Sequence, residues 1–298
     1  MTESIRADGE RVCMVTGATS GIGLATARAL AASGDGVLIV SRNSGRCQDT
    51  AETIRHETGN PAVDWLAADL SSLAEVRRVV GLFHQRWDRL DVLVNNAGVS
   101  PARRMETRDG FELALGVNHL AHFLLTTLLL DTLRVSAPAR VVNVTSGIYR
   151  RGRLDFADLQ LRRRFSPMSA YANSKLANVV FTLELARRFE PEVLTANAMT
   201  PGLCHTNIGL EGGGVHAWGK RFADWLLRAK TPEQGGDTLV WLAASDETAG
   251  MTGRLFKDRK DQIIAASAAD PELGRRLWEV SEALVGDGER TADSPRIA

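Results

Sequence analysis

From residue 11 onward, short apolar runs alternate with longer amphipathic stretches. Apolar runs of four to seven residues bounded by turn residues read as buried strands. They predict strands over residues 11–16, 36–41, 62–68, 90–95, 140–145 and 193–199, with a short last strand near 253–256. Between them, apolar residues recur at helical spacing. They predict helices near 22–33, 44–58, 73–87, 108–133, 170–189, 232–244 and 271–284, with Ser71 or Ser72 as the cap of the third.

Strands alternating with helices of this length imply βαβ units and a parallel sheet. The fold class is α/β. A single doubly wound domain of Rossmann type, with about seven parallel strands, accounts for residues 1–298. No repeat and no Pro/Gly/Ser-rich linker divides the chain. The polar ends, 1–10 and 287–298, are expected to be flexible.

Composition narrows the function classes. The 36 basic and 36 acidic side chains balance, which argues against a nucleic-acid binder. Cys13, Cys47 and Cys204 lie far apart, with neither metal-ligand nor disulfide spacing, so no metal is expected. Sparse cysteines fit a reducing compartment. The opening residues lack the apolar stretch of a secretory signal, and no run is long enough for a membrane span, so a cytoplasmic protein is expected.

The first strand runs into Thr16-Gly17-Ala18-Thr19-Ser20-Gly21-Ile22-Gly23, which opens the first helix. Glycine permits backbone conformations closed to other residues and lets a phosphate approach. The helix N-terminus offers free N–H groups and a favourable dipole. The spacing is G-x-x-x-G-x-G, and its place between strand and helix points to a dinucleotide. The second strand ends in Ser41-Arg42-Asn43 with no carboxylate. An acidic residue there would accept from a free ribose hydroxyl, whereas an arginine suits a 2′-phosphate, so NADP(H) is the expected cofactor.

Tyr171 and Lys175 stand four apart on one helix face. A free tyrosine titrates near about 10 and is a poor acid–base group at neutral pH. An ammonium at about 4 Å supplies roughly 4 kcal/mol at an effective dielectric near 20, enough to lower the phenol by about three units.

Together these pieces resemble the short-chain dehydrogenase/reductase family. The matching residues are TGATSGIG at 16–23, Asp69-Leu70, NNAG at 95–98, Asn118, Ser146, YANSK at 171–175, and Pro201-Gly202 with Thr206, all in the family's order. The resemblance implies a catalytic set of Asn118, Ser146, Tyr171 and Lys175. Tyr171 would be the acid–base, and Ser146 would orient the carbonyl. Lys175 would tune Tyr171 and hold the nicotinamide ribose, and Asn118 would hold a relay water. It also implies that Asp69 touches the adenine and that Asn96, Ala97 and Gly98 wall the cofactor. Pro201, Gly202, Leu203 and Thr206 would cradle the nicotinamide side, with transfer from the B face. VNHLAHFLLT at 117–126, DLQ at 158–160, YANSKLANVVFT at 171–182 and TGRLF resemble the retinol dehydrogenase-like branch. That branch implies NADP(H) use, in line with Arg42, and carbonyl reduction of a small molecule is the expected activity; the apolar 205–230 stretch points to a lipophilic substrate.

His205 stands beside the nicotinamide loop, and Leu210, Trp218 and Phe222 load the 205–230 stretch with apolar groups, so these residues and Ser146 are the substrate candidates. Glycines at 212–214 suit a lid. His119 and His122 read as packed histidines, since no carboxylate or cysteine completes a metal set. The stretch between Ser146 and Tyr171 holds Arg150, Arg151, Arg153, Arg162, Arg163 and Arg164. It reads as a solvated loop or an anion-docking flap. Many relatives dimerise through the Tyr171 helix, and the inserted stretch could block that packing, so a homo-oligomer stays open. Two other readings remain: a nucleotide-binding redox sensor without catalysis, and an NAD-linked alcohol dehydrogenase.

Overall fold

A computed structural model describes residues 11–202 and 230–286 of the chain. Eight strands form one sheet in the order β3-β2-β1-β4-β5-β6-β7-β8. The strands are β1 Val12–Thr16, β2 Gly36–Ser41, β3 Val63–Ala67, β4 Val92–Asn95, β5 Ala139–Val144, β6 Leu194–Met199, β7 Arg254–Lys257 and β8 Lys260–Asp261. All neighbours pair in parallel except β7 and β8, which form an antiparallel hairpin. The seven expected strands are present, and β8 is an addition at the edge.

The helices are α1 Gly21–Ala32, α2 Ser44–Thr58, α3 Leu73–His84, α4 Leu113–Leu115, α5 Ala121–Leu128, α6 Leu130–Val135, α7 Pro167–Arg188, α8 Pro232–Ala244, α9 Ala266–Ala269 and α10 Pro271–Gly286. Local chemistry sets their ends. Asn43 Oδ1 accepts from the Arg46 N–H to start α2, and Gly59, at φ +70°, ends it. Ser72 starts α3 by accepting from the Glu75 N–H. Ser166 caps α7 and Pro167 occupies its first position, so that helix starts three residues before the predicted 170. The stretch expected as one helix over 108–133 is three helices, with a π-helical turn at Gly116–Leu120 and a break at Leu129.

The period-two pleat divides the core into two layers. Cys13 and Val15 face one side with Val37, Ile39, Val94 and Val142, against Ile22, Leu30 and Leu239. Met14 faces the other side with Leu38, Leu93 and Val141, against Val79, Phe83, Phe123 and Phe181. Because β1 pairs with both β2 and β4, the chain order reverses at β1. In doubly wound sheets the ligand crevice opens at the carboxyl ends of the strands at this point.

Candidate active site

The β1 end of the crevice is a closed hydrogen-bond network. The Thr16 hydroxyl accepts from the backbone N–H groups of Asn96 (2.9 Å) and Ala97 (3.0 Å) and lies 3.0 Å from His122 Nε2. His122 Nδ1 lies 3.1 Å from the Asn118 carbonyl. A carbonyl only accepts, so Nδ1 carries the proton and Nε2 is the acceptor. The Thr16 hydroxyl therefore donates to Nε2, with the Val94 carbonyl a longer second acceptor at 3.3 Å, and keeps its lone pairs for the two backbone donors. Burial supports this neutral tautomer by pushing the His122 pKa down to about 3. The Asn96 side chain donates to the Thr16 carbonyl at 2.8 Å.

This network shapes a cradle that fits a dinucleotide diphosphate. Gly17 (φ +67°) and Gly21 (φ +55°) adopt left-handed conformations. A Cβ on Gly17 would lie 2.9 Å from Ala97 Cα, and one on Gly23 would lie 2.4 Å from the Gly17 carbonyl and from Asn96 Nδ2. Ser20 caps α1 with its backbone alone and makes no side-chain cap bond, which leaves first-turn N–H groups for an anion. Thr19 and Ser41 join hydroxyls at 3.0 Å, tying the turn to the end of β2. Arg42 is exposed beside them. Asn43 spends its side-chain oxygen on the α2 cap, so only its amide N–H groups could serve a ligand. Ile22 and Leu70 are buried in the core. Asp69 accepts from the Ser71 N–H at 3.0 Å and lies 3.6 Å from the Arg108 guanidinium.

The opposite wall carries Ser146, Tyr171 and Lys175, three of the expected catalytic residues. Ser146 follows β5, and Tyr171 and Lys175 lie one turn apart on α7. Lys175 is buried; its Nζ donates to the Val144 carbonyl at 3.1 Å and lies 5.6 Å from the Tyr171 ring centroid. Burial lowers its pKa to about 8. Burial also holds the Tyr171 phenol above its ordinary value, and a hydrogen bond with Ser146 works the other way without overcoming it. The expected lowering of Tyr171 is therefore not produced by these protein groups alone. A Cβ on Gly98 would lie 3.5 Å from Lys175 Nζ, in van der Waals contact with the ammonium.

Asn118 joins the two walls. It lies in the π-helical turn, a feature that often marks functional positions. Its Oδ1 accepts from the Val99 N–H at 2.7 Å, and its Nδ2 donates to the Val99 carbonyl at 3.0 Å and to Ser174 Oγ at 2.9 Å. Ser174 in turn donates to the Tyr171 carbonyl at 2.8 Å. The side chain thus holds the loop after Gly98 to the Tyr171 helix, while its backbone carbonyl accepts from His122 Nδ1. Sequence reading missed Thr16, His122 and Ser174 as parts of this frame. Each lies inside a quoted motif, but their links cross from one element to another.

His119 packs as expected, its Nε2 at 2.9 Å from Ser281 Oγ beside Phe123 and Phe181. Burial pushes its pKa down to about 4. Among the described residues no group of three His, Cys, Asp or Glu side chains forms a metal site, and no helix is long and apolar enough to cross a membrane. Pro201 and Gly202, at φ +77°, follow β6 at the same end of the sheet. Leu203, His205, Thr206, Leu210, Trp218 and Phe222, with the expected lid and the two expected flexible ends, lie outside the described residues.

Residues 11–211 match the short chain dehydrogenase family along its characteristic sequence profile. The chain belongs to the short-chain dehydrogenase family. This makes it an oxidoreductase acting on CH–OH or C=O groups. Polyprenol dehydrogenase of Mus musculus is 43% identical to it, over 95% of this chain and 86% of that protein. Retinol dehydrogenase 13 of Homo sapiens is 40% identical, over 93% and 85%. These likenesses place the chain in the retinol dehydrogenase-like branch. Among solved structures, a Pseudomonas aeruginosa RhlG/NADP active-site complex superposes with a TM-score of 0.66 and 28% identity, covering 86% of this chain and 97% of that one.

Proposed function

We propose that this short-chain dehydrogenase is an NADP(H)-dependent carbonyl reductase for lipophilic ketones or aldehydes. The observation that carries the reading is the convergence of Ser146, Tyr171 and Lys175 on the cleft bounded by the Asn96–Gly98 wall. A bound nicotinamide dinucleotide supplies the hydride. The Ser146 hydroxyl donates to the substrate carbonyl oxygen and fixes its position. The Tyr171 hydroxyl gives that oxygen its proton. A phenol that stays protonated through neutral pH suits this direction, because reduction needs the acid form. Lys175 holds a ribose hydroxyl, and as an ammonium it favours the phenolate that remains after proton transfer. Asn118 fixes the distance between wall and helix and holds the water that returns the proton. Arg42 pairs with the 2′-phosphate. Two relatives named for retinol and polyprenol support a lipophilic substrate, and the RhlG/NADP complex supports the cofactor.

The test is oxidation of NADPH and NADH by the purified protein with a panel of aromatic ketones, medium-chain aldehydes and isoprenoid aldehydes. Turnover with NADPH that rises with substrate lipophilicity is expected. Cofactor binding without turnover of any carbonyl or alcohol would favour a sensor and overturn the reading.

A further inference from the structure

The charge balance of the whole chain hides a local excess. Residues 150–164 carry six arginines and two aspartates, a net excess of four in a chain whose total is zero. Elsewhere arginines meet carboxylates: Arg11 with Asp35 at 2.9 Å, Arg28 with Glu57 at 2.7 Å, Arg89 with Asp91 at 2.6 Å, Arg188 with Glu184 at 3.0 Å. Within the stretch the aspartates serve the backbone instead. Asp155 accepts from the Ala157 N–H at 3.0 Å. Asp158 accepts from the N–H groups of Arg162 at 2.8 Å and Arg163 at 3.1 Å, which bends the chain and uses both carboxylate oxygens. Leu161, at φ +51°, completes the bend, and Arg162, Arg163 and Arg164 all emerge exposed. Among the described residues none of Arg151, Arg153, Arg162, Arg163 and Arg164 forms an ion pair within 4 Å, although Arg163 acts on Asp158 at longer range and helps to lower its pKa.

This segment is a built platform. Leu154 and Phe156 pack on the core beside α7, and the Arg276 guanidinium covers the Phe156 ring at 4.3 Å. Gly152 fits so closely on α7 that a Cβ would lie 2.6 Å from the Ala172 carbonyl. Asn173 Oδ1 accepts from the Arg153 N–H at 2.8 Å. A loop with no task beyond solvation needs no such fixing. The platform also belongs to the rim of the cleft. It joins Ser146 to the Tyr171 helix, and Arg104, from the loop after Gly98, donates to the Gln160 carbonyl at 3.4 Å. Two of the exposed large apolar side chains among the described residues are close in sequence to residues of this rim: Met105 beside Arg104 and Met168 on the first turn of α7.

We propose that this platform docks the enzyme on an anionic phospholipid surface and turns the cleft toward the bilayer. Near an anionic leaflet each exposed positive side chain, arginine or lysine, is worth about 1 kcal/mol through charge alone. Exposed methionines beside a basic patch suit the headgroup boundary. The choice of a bilayer over a soluble polyanion rests on the lipophilic-substrate reading above, because such substrates partition into membranes.

The experiment is co-sedimentation of the full chain with vesicles, free of cofactor and substrate, so its failure leaves the catalytic reading untouched. Phosphatidylcholine vesicles are compared with vesicles containing phosphatidylglycerol. Binding to the anionic vesicles and its loss on raising the salt are expected. Each arginine near such a surface is worth about fivefold in partition. The triple variant R162Q/R163Q/R164Q should therefore bind roughly a hundredfold more weakly, with an unchanged melting temperature, and R162K/R163K/R164K should retain most of the binding. Equal binding to neutral and anionic vesicles, or a glutamine variant within about twofold of wild type, would overturn the proposal. So would a wild type that ignores both vesicles and binds a soluble polyanion such as heparin.

Discussion

The two walls of the cleft are built in opposite ways. On the β1 side, Thr16, Asn96, Ala97, Asn118 and His122 satisfy one another through a connected set of hydrogen bonds. On the α7 side, Lys175 has a single carbonyl partner, and burial moves both Lys175 and Tyr171 toward their neutral forms. The difference shows where rigidity and where stored electrostatic cost are placed. The binding wall is fixed before any ligand arrives, whereas the reacting wall holds groups whose charge the protein itself does not stabilise.

The largest expected effect lies on the reacting wall. Lys175 is charged at neutral pH in both folded and unfolded chains, but the folded state holds it with a pKa of about 8 against an ordinary 10.5. A depression of this size is worth about 3 kcal/mol. Lys175→Met should therefore stabilise the cofactor-free protein by up to about 3 kcal/mol at pH 7, while abolishing most turnover. Between pH 8 and about 10.5 the unfolded chain binds more protons than the folded one, so wild-type stability rises and the advantage of the variant shrinks. Urea unfolding of both proteins at pH 7 and pH 10 measures this. A variant less stable than wild type at pH 7 would mean that the Val144 contact outweighs the buried charge.

On the binding wall the same logic predicts intolerance to added atoms. The Cβ of Gly23→Ala would meet backbone and Asn96 at 2.4 Å. Overpacking of this kind costs about 1–3 kcal/mol, so NADPH should bind at least about tenfold more weakly. Isothermal titration checks it, and unchanged affinity would show that the cradle is softer than its hydrogen bonds imply. The smallest effect should come from the exposed end of this wall. A charge-assisted hydrogen bond is worth about 1.5–3 kcal/mol, and exposure places Arg42 at the lower end. Arg42→Ala should weaken NADPH about tenfold and leave NADH nearly unchanged, read as kcat/KM for each cofactor at fixed ionic strength. An unchanged cofactor ratio would remove Arg42 from 2′-phosphate recognition.

Much of this was legible in the chain because the deciding interactions are local. Short apolar runs bounded by turn residues located the first seven strands, and Ser71 or Ser72 marked the start of α3, where Ser72 is the cap. The Gly-rich turn and the Tyr171–Lys175 spacing located both walls. What escaped depends on tertiary contacts. The β7–β8 hairpin turns through Asp258 and Arg259, both at positive φ and without the glycine or asparagine that signals such a turn. It is held by Arg259, which donates to Asp237 on α8 at 2.7 Å, and by the Lys230–Asp258 ion pair. The proton order through His122 likewise follows only when β1, β4 and the π-helical turn come together. The depressed Lys175 and raised Tyr171 reflect burial, which spacing along a helix does not reveal.

The central claim is that Tyr171 is the proton donor and that its hydroxyl can be removed without disturbing the binding wall. Single-turnover oxidation of NADPH with a reactive ketone, set beside NADPH affinity, measures both in the wild type and in Tyr171→Phe. Loss of a general acid costs about 100-fold or more in rate. The prediction is a rate at least about 100-fold lower in the variant, with affinity within about twofold, because a phenyl ring keeps the packing. A variant that turns over at near the wild-type rate, or one whose loss of rate is matched by an equal loss of NADPH binding, would contradict this assignment.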